Sequence, residues 1–157
     1  MLTSRRDYLL RIIDEAGRHL ARAVLKRREG APAEALESIV AACARLFSLE
    51  ADKLFQFTPE QHYVMLLDGE EPAAGRDKIL LYAALLAEAG QIYRATGKTA
   101  MARASTLNAL RFVLHSRLEL PAGDLPAFAP EPATLQAQLA DEPLDDETAE
   151  LLRAVSR

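Results

Sequence analysis

Apolar residues recur at a helical period in the N-terminal part of the chain. Between residues 5 and 28 they fall on one face at intervals of about 3.6 residues, which predicts an amphipathic helix. Gly30 ends this helix, and Pro32 begins the next at a position where its missing N–H costs nothing. The predicted buried face comprises Leu9, Ile13, Ala16, Leu20, Ala21 and Val24.

The same periodicity predicts further helices along the rest of the chain. No segment alternates between apolar and polar residues as a half-buried strand does, so the sequence predicts an all-α fold. Ser48 is predicted to cap one short helix, and Thr58 with Gln61 forms a capping box at the start of another. The further helices are predicted over 33–47, 49–56, 59–67, 76–95, 99–118, 133–141 and 145–156, with a loop over 68–75.

Proline divides the C-terminal third from the rest. The segment from Leu120 to Pro132 has four prolines in thirteen residues, which excludes a regular helix. We expect an extended strap, with Leu125 and Phe128 pinning it to the body. The sequence therefore predicts a helical-hairpin domain over 1–119, a Pro-rich strap over 120–132, and acidic C-terminal helices over 133–157 that pack on or cap the same domain.

Two predicted helix hairpins share a spacing. Gly30 and Gly97 each end a helix and lie 67 residues apart. An alanine lies five residues after each glycine, and a second alanine lies seven residues after the first. Since seven residues make about two turns, each pair lies on one helix face and lets a neighbouring backbone approach closely. The pairs are Ala35 with Ala42, and Ala102 with Ala109.

The second hairpin has a pattern of small and aromatic residues at Gly90, Tyr93, Gly97, Ala102 and Ala109. This pattern resembles the tetratricopeptide repeat, a helix hairpin of about 34 residues. Thr106 stands where that family usually has an aromatic residue, and Leu86 only approximates a large upstream residue. The N-terminal half, with RDYLLRIIDEAGRHLARAVLKRREG, also looks like a family of uncharacterised bacterial proteins with such hairpins. The resemblance implies a short right-handed α-solenoid and brings no activity with it.

Composition narrows the class of protein. A chain of 157 residues, half of them apolar, is typical of one globular domain. The net charge of -4 does not suggest nucleic acid. A lone cysteine, Cys43, forms no internal disulfide, and no apolar run reaches the roughly 18 residues of a membrane span. The charged N-terminal run is unlike a signal peptide. We expect a cytoplasmic protein with no membrane contact.

Gly97-Lys98-Thr99 matches the last three residues of a phosphate-binding loop. Such a loop needs another glycine five residues before its last one, after a buried strand. That position is Ile92, and the preceding segment has helical periodicity. We therefore predict a turn between two helices, with Gly97 at the C-cap and Thr99 at the N-cap, and no nucleotide.

No other spacing indicates catalysis or a metal site. His19, His62 and His115 lack ligand spacing, and we expect each to be solvated or half-buried. Cys43 lies on the apolar face of its helix, so a buried thiol is favoured over a nucleophile. Acidic residues such as Asp145 are interpreted as favourable charges at a helix start. The prediction is no enzyme, no cofactor and no metal.

The polar face of the first helix is the strongest candidate for binding. The favoured interpretation is a solvated face. Docking of the acidic C-terminal segment, from the same chain or a partner subunit, ranks above binding of nucleic-acid phosphates, because residues 121–157 hold eight acidic and two basic side chains. The stripe comprises Arg11, Arg18, Arg22 and Lys26.

A second candidate surface lies on the predicted helix 76–95. Helical hairpins of this type bury one face and leave a concave face free. The side chains predicted there are small, which suggests a flat or self-packing surface. They are Ala84, Ala87, Gln91 and Arg94. The leading functional hypothesis is a protein-interaction or self-association module, with a homodimer as one form. The alternative is a nucleic-acid-associated regulator that uses the basic stripe.

Overall fold

The described part of the chain is all-α, with loops between its helices and no strand. The structure, a computed structural model, describes residues 2–157, with side chains from residue 5 onward. No strand occurs in that range, so the all-α prediction is confirmed. The helices are α1 (Leu2–Arg28), α2 (Pro32–Phe47), α3 (Ala51–Leu54), α4 (Pro59–Leu67), α5 (Pro72–Ala95), α6 (Thr99–Glu119), α7 (Pro132–Gln138) and α8 (Asp146–Ser156).

Two helix hairpins form the body, with α5 at the centre. Helix α1 packs along α2, and α5 packs along α6. Helix α5 also contacts α1, α2 and α4. Because neighbours surround α5, its residues from Ile79 to Leu85 are all buried. This uninterrupted apolar run explains why α5 shows little amphipathic character, as expected of a helix that is covered on all sides.

All four side chains of the shared alanine pairs are buried. In the second hairpin, Gly90 of α5 packs directly against α6. A Cβ at Gly90 would collide with Oγ1 of Thr106 and lie 3.3 Å from the carbonyl oxygen of Ala102. Thr106 is itself fully buried, and its hydroxyl donates to the Ala102 carbonyl at 2.8 Å. A small residue at 106 is therefore matched to a glycine at 90.

The turn between α5 and α6 has the predicted form. Gly97 has a φ of 77°, and the N–H of Lys98 donates to the carbonyl of Tyr93 at 2.9 Å, which is a Schellman-type ending. The segment before Gly97 is a helix rather than a strand. Thr99 is the first residue of α6 and Lys98 its N-cap, so the capping role predicted for Thr99 is wrong.

Several other boundaries differ from the predictions. Ser48 ends α2 in the left-handed region instead of starting a helix, because its φ is 54°. The predicted loop over 68–75 is shorter, since Pro72 already begins α5. On α1, Ala21 is exposed and Ile12 and Ala23 are buried. The buried stripe of α1 is therefore rotated toward the side where α2 and α5 both lie. The Thr58–Gln61 capping box is confirmed.

The Pro-rich segment crosses the body without helical structure, as predicted. Buried Arg76 of α5 holds its beginning by donating to the carbonyls of Pro121 at 2.8 Å and Gly123 at 2.7 Å. Phe128 packs against the core as predicted. Leu125 does not, since 44% of it is exposed. The buried guanidinium of Arg76 therefore holds the beginning of this segment, a role that the sequence predicted for Leu125. Residues 120–157 are called the C-terminal arm below.

Candidate interaction surface

The outer face of α1 lies opposite the helix's buried stripe. Helical spacing places Arg11, Arg18 and Arg22 in one narrow arc, and Ile12 and Ala16 on the other side. Ile12 and Ala16 are buried, whereas the three arginines are exposed. The predicted basic stripe is thus displayed to solvent along most of the helix. The arginines that belong to it are positioned by the same periodicity that buries the opposite side.

Lys26 does not belong to this exposed face. Its ammonium lies 3.2 Å from the Glu34 carboxylate and 3.5 Å from that of Glu29. A hydrogen bond with Glu34, supported by the charge of Glu29, raises the pKa of Lys26. Lys26 is half-buried at the α1–α2 turn. Of the four residues predicted for the stripe, it is the one whose charge is paired with two carboxylates of the chain.

The positive charges of the remaining stripe arginines are little compensated by carboxylates of the chain. Arg18 forms an ion pair of 2.5 Å with Asp14, and an exposed pair of this kind contributes only about 0–1 kcal/mol. Arg11 and Arg22 form no ion pair with any described residue. Arg6 and Arg28 of the same helix are also exposed and also form no ion pair with a described residue. Asp7 and Asp14 are exposed on the same face, but the five arginines outnumber these two carboxylates, so the outer face of α1 carries net positive charge.

Apolar side chains accompany these charges. Leu10 and Leu25 are each 54% exposed, and Leu25 lies two turns after Arg18 on nearly the same line of the helix. Tyr8 is 44% exposed, with the Arg45 guanidinium 5.9 Å from its ring centre. We refer to the outer side chains of α1 from Arg6 to Arg28 as the α1 outer face. Leu10 and Leu25 were not among the residues predicted for this surface, although the helical period already places them beside the arginines.

The second predicted surface is partly covered by the chain itself. Ala84 is buried, and Ala87 and Gln91 are half-buried. They line a shallow cleft whose other walls come from α1 and α7, with Phe128 of the C-terminal arm at one side. Arg94 donates to the carbonyl of Gln138 at 3.3 Å. The C-terminal arm therefore already lies against much of this patch.

The acidic C-terminal segment docks on α6 rather than on the α1 stripe. Arg103 donates to the carbonyls of Leu139 and Pro143 at 3.3 and 3.1 Å, which holds the chain between α7 and α8. Arg111 contacts Asp145 at 2.6 Å and Thr148 at 3.0 Å. Docking within the same chain, one of the predicted uses of the stripe, is therefore wrong. The Pro-rich segment leads the chain to α6, and the α6 residues Arg103 and Arg111 pair with the acidic side chains that follow it.

Asp145 shows how closely the segment is held. Burial alone would raise the pKa of its carboxyl, but hydrogen bonds from Thr148 and Arg111 outweigh that effect and lower the pKa to about 2. The same carboxylate accepts from the backbone N–H of Thr148 at 3.2 Å, so Asp145 is the N-cap of α8. One side chain thus starts the helix and ties it to α6.

The interior contains a polar contact that the sequence did not predict. His62 was expected to be solvated or half-buried, but it is 5% exposed. Its Nε2 donates to the Leu54 carbonyl at 2.8 Å, and the hydroxyl of Tyr82 donates to its Nδ1 at 3.0 Å. Both ring nitrogens of a neutral imidazole are thereby satisfied. The aromatic ring of Phe47 meets Tyr82 edge-on. This arrangement accounts for His62 as a packing residue.

Cys43 is buried as predicted, and burial raises the pKa of its thiol to about 12. The thiolate that would act as a nucleophile is therefore scarce near neutral pH. Among the described side chains, no group of three His, Cys, Asp or Glu residues is placed to hold a metal ion. No helix in the described range combines the length and apolarity that a membrane span requires.

Fold and surface together define an all-helical protein with two packed hairpins, a docked acidic arm and one uncovered basic and apolar helix face. Comparison with family models, with curated proteins and with solved structures gives no match for this chain.

Proposed function

We propose that this protein is a non-catalytic interaction module that binds a protein segment or a second copy of itself. The observation that carries the proposal is the unequal covering of the two hairpins. The C-terminal arm lies against α5 and α6, whereas α1 contacts α2 and α5 on one side only. Large apolar side chains are exposed on the first hairpin, at Tyr8, Leu10 and Leu25 of α1 and Val40 of α2. The second hairpin also exposes Met101 and Leu118 of α6, so the difference between the hairpins is the arm, which packs on α6 through α7 and α8.

The packing order supports a tetratricopeptide-like interpretation of the hairpins. Helix α5 is preceded in space by α1 and α2 and followed by α6, as expected when one hairpin stacks on the next. We propose a short right-handed solenoid of two hairpins, with α3 and α4 as an insertion or a degenerate repeat between them. In such a stack each open end needs a cap or a partner. The C-terminal arm fits the role of cap at the second hairpin.

The test is whether the open end of the first hairpin makes specific contacts. Tagged protein is used to capture partners from the source cell, and its self-association is followed by sedimentation. The variant Leu10→Ser plus Leu25→Ser removes two exposed apolar side chains without touching the core. We expect it to lose the captured partner or the self-association. The matched control is Val64→Ser, which is 65% exposed on α4.

Loss in the α1 variant with retention in the Val64 control supports the proposal. A protein that captures no partner and stays monomeric would count against it. Equal capture by all three proteins would also contradict it, because the open face of α1 would then be unnecessary.

The unneutralised arginines favour one alternative, a regulator that binds nucleic-acid phosphates. It predicts a salt-sensitive electrophoretic shift that disappears in Arg18→Glu plus Arg22→Glu. Absence of a shift at low salt would dismiss it. The exposed leucines speak for the first proposal, since apolar side chains gain nothing from a phosphate backbone.

A further inference from the structure

Arginine serves mainly as an internal tie in this protein. Arg27 holds the buried Glu88 carboxylate, with a second contact of 3.1 Å, and so links α1 to α5. Arg45 pairs with Glu15 across the first hairpin. Arg76 and Arg111 hold the C-terminal arm as described above. The arginines that contact an acceptor in the described chain are Arg5, Arg18, Arg27, Arg45, Arg76, Arg94, Arg103, Arg111, Arg117, Arg153 and Arg157.

The arginines outside this set are all on one helix. They are Arg6, Arg11, Arg22 and Arg28, and none bonds to a described side chain or carbonyl. All four belong to α1 and are exposed. A chain with 23 acidic residues and 19 basic ones has enough carboxylates to match them. Their concentration on the uncovered helix indicates that the matching acids come from outside the chain.

A second copy does not supply those acids through the same face. In a two-fold dimer a surface patch meets itself. Two α1 outer faces would then set arginine beside arginine, and like charges at an interface cost several kcal/mol. The chain's own acidic arm is also engaged, because Arg103 and Arg111 already hold Asp141 and Asp145. The occupant is therefore a different molecule with negative charge.

The exposed leucines decide the type of molecule. Leu10 and Leu25 stand fifteen residues apart, which is roughly 22 Å along a helix, and the unpaired arginines lie between and beside them. A surface that alternates apolar anchors with positive charge fits a helix that alternates apolar residues with carboxylates. Such a helix would need about four turns to reach both leucines.

We infer that the α1 outer face binds an acidic amphipathic helix of a different protein. The inference rests on the proposed function as an interaction module and names its partner chemistry. The leucines provide the buried apolar contact, and the arginines select carboxylates and set the orientation of the partner along α1.

A displayed library of random 16-residue peptides selected on the whole protein tests the inference. Enriched sequences should combine Asp or Glu with Leu, Ile or Phe at helical spacing. Binding of the best peptide should weaken at least about tenfold in Arg11→Glu plus Arg22→Glu, and it should weaken as salt rises. The matched control is Lys53→Glu plus Lys98→Glu, which changes net charge equally at two exposed residues on other elements.

Three results would overturn the inference. One is peptides whose binding is the same in the α1 variant and in the control, whereas the proposed function is decided by the capture experiment with the Leu10 and Leu25 variant. Another is a selection that enriches no acidic sequence, while capture in the Leu10 and Leu25 experiment separately decides the proposed function. The third is tighter α1-dependent binding to duplex DNA or to phosphatidylserine vesicles than to any selected peptide.

Discussion

Gly90 of α5 packs directly against Thr106 of α6 in the second hairpin. The Thr106 hydroxyl fills the space that a Cβ at residue 90 would occupy, and it donates to the Ala102 carbonyl. The two positions are sixteen residues apart in sequence but form one packing unit. The core of the hairpin depends on both residues being small.

Gly90→Ala should therefore destabilise the protein, although alanine favours helices. The added methyl group has to displace Thr106, and overpacking of this kind costs about 1–3 kcal/mol. Urea denaturation measures the change in the free energy of unfolding. The control is Gly17→Ala, where nothing lies within 4 Å of the added Cβ and a gain of about 0.5–1 kcal/mol is expected. Gly90→Ala with Thr106→Ala should recover part of the loss, and no recovery would contradict the contact.

Breaking the pair between Arg27 and Glu88 should destabilise the junction of α1 and α5. Glu88 is 7% exposed, so Arg27→Ala leaves a buried carboxylate without its bidentate partner. We expect a loss of about 2–3 kcal/mol in the free energy of unfolding. The neighbouring Arg28→Ala removes an exposed arginine and should change stability by less than about 0.5 kcal/mol. Equal effects in thermal unfolding would show that the pair is unimportant.

Acid should weaken the attachment of α8 in a defined pH window. The pKa of Asp145 is about 2 in the folded protein and 3.8 in its unperturbed state. Because the folded pKa is lowered, this carboxylate stabilises the fold above pH 4, and its contribution disappears as the pH falls from about 4 to about 2. The side chain is 37% exposed, so solvent screening limits the contribution to about 1 kcal/mol.

Asp145→Asn should remove that part of the pH dependence, while Asp146→Asn, one residue later, should retain it. Thermal unfolding measured between pH 2 and pH 6 compares the two variants with the wild type. Parallel curves for Asp145→Asn and wild type would contradict the role of this carboxylate.

Detaching the C-terminal arm should expose the apolar surface of the second hairpin. Leu135 and Leu139 of the arm are each 1% exposed, so deletion of residues 121–157 should lower Tm and increase binding of an apolar dye. Arg103→Ala plus Arg111→Ala keeps the chain intact and should speed proteolysis between α7 and α8. Unchanged dye binding and unchanged proteolysis would exclude a capping role.

Much of the architecture followed from local pattern. The period of apolar residues located the long helices, and the Thr58–Gln61 box located the start of α4 because a capping box involves only neighbouring residues. The wrong predictions concern positions whose structure depends on contacts with residues distant in sequence. Ser48 and Thr99 are both good capping residues, yet the chain path places one at the end of α2 and the other inside α6.

The candidate surface was predicted in part. Arg11, Arg18 and Arg22 were found because solvent exposure on a long helix follows from its period. Lys26 obeys the same period but is matched by Glu34 of α2, whose proximity depends on the hairpin turn. The predicted surface at Ala84 is partly covered for a similar reason. Helix α7 packs beside it, and α7 reaches that place through a non-helical segment whose path no local sequence pattern specifies.

The sequence by itself determined the helices, the turn at Gly97 and the basic face of α1, because each depends on residues a few positions apart. Only the tertiary structure decided which charges are matched. Arg103 and Arg27 look no different in sequence from Arg22, but the first two meet acceptors 36 and 61 residues away. Ion pairing depends on distance in space, and folding brings acceptors to some arginines and leaves Arg11 and Arg22 of the α1 outer face to solvent.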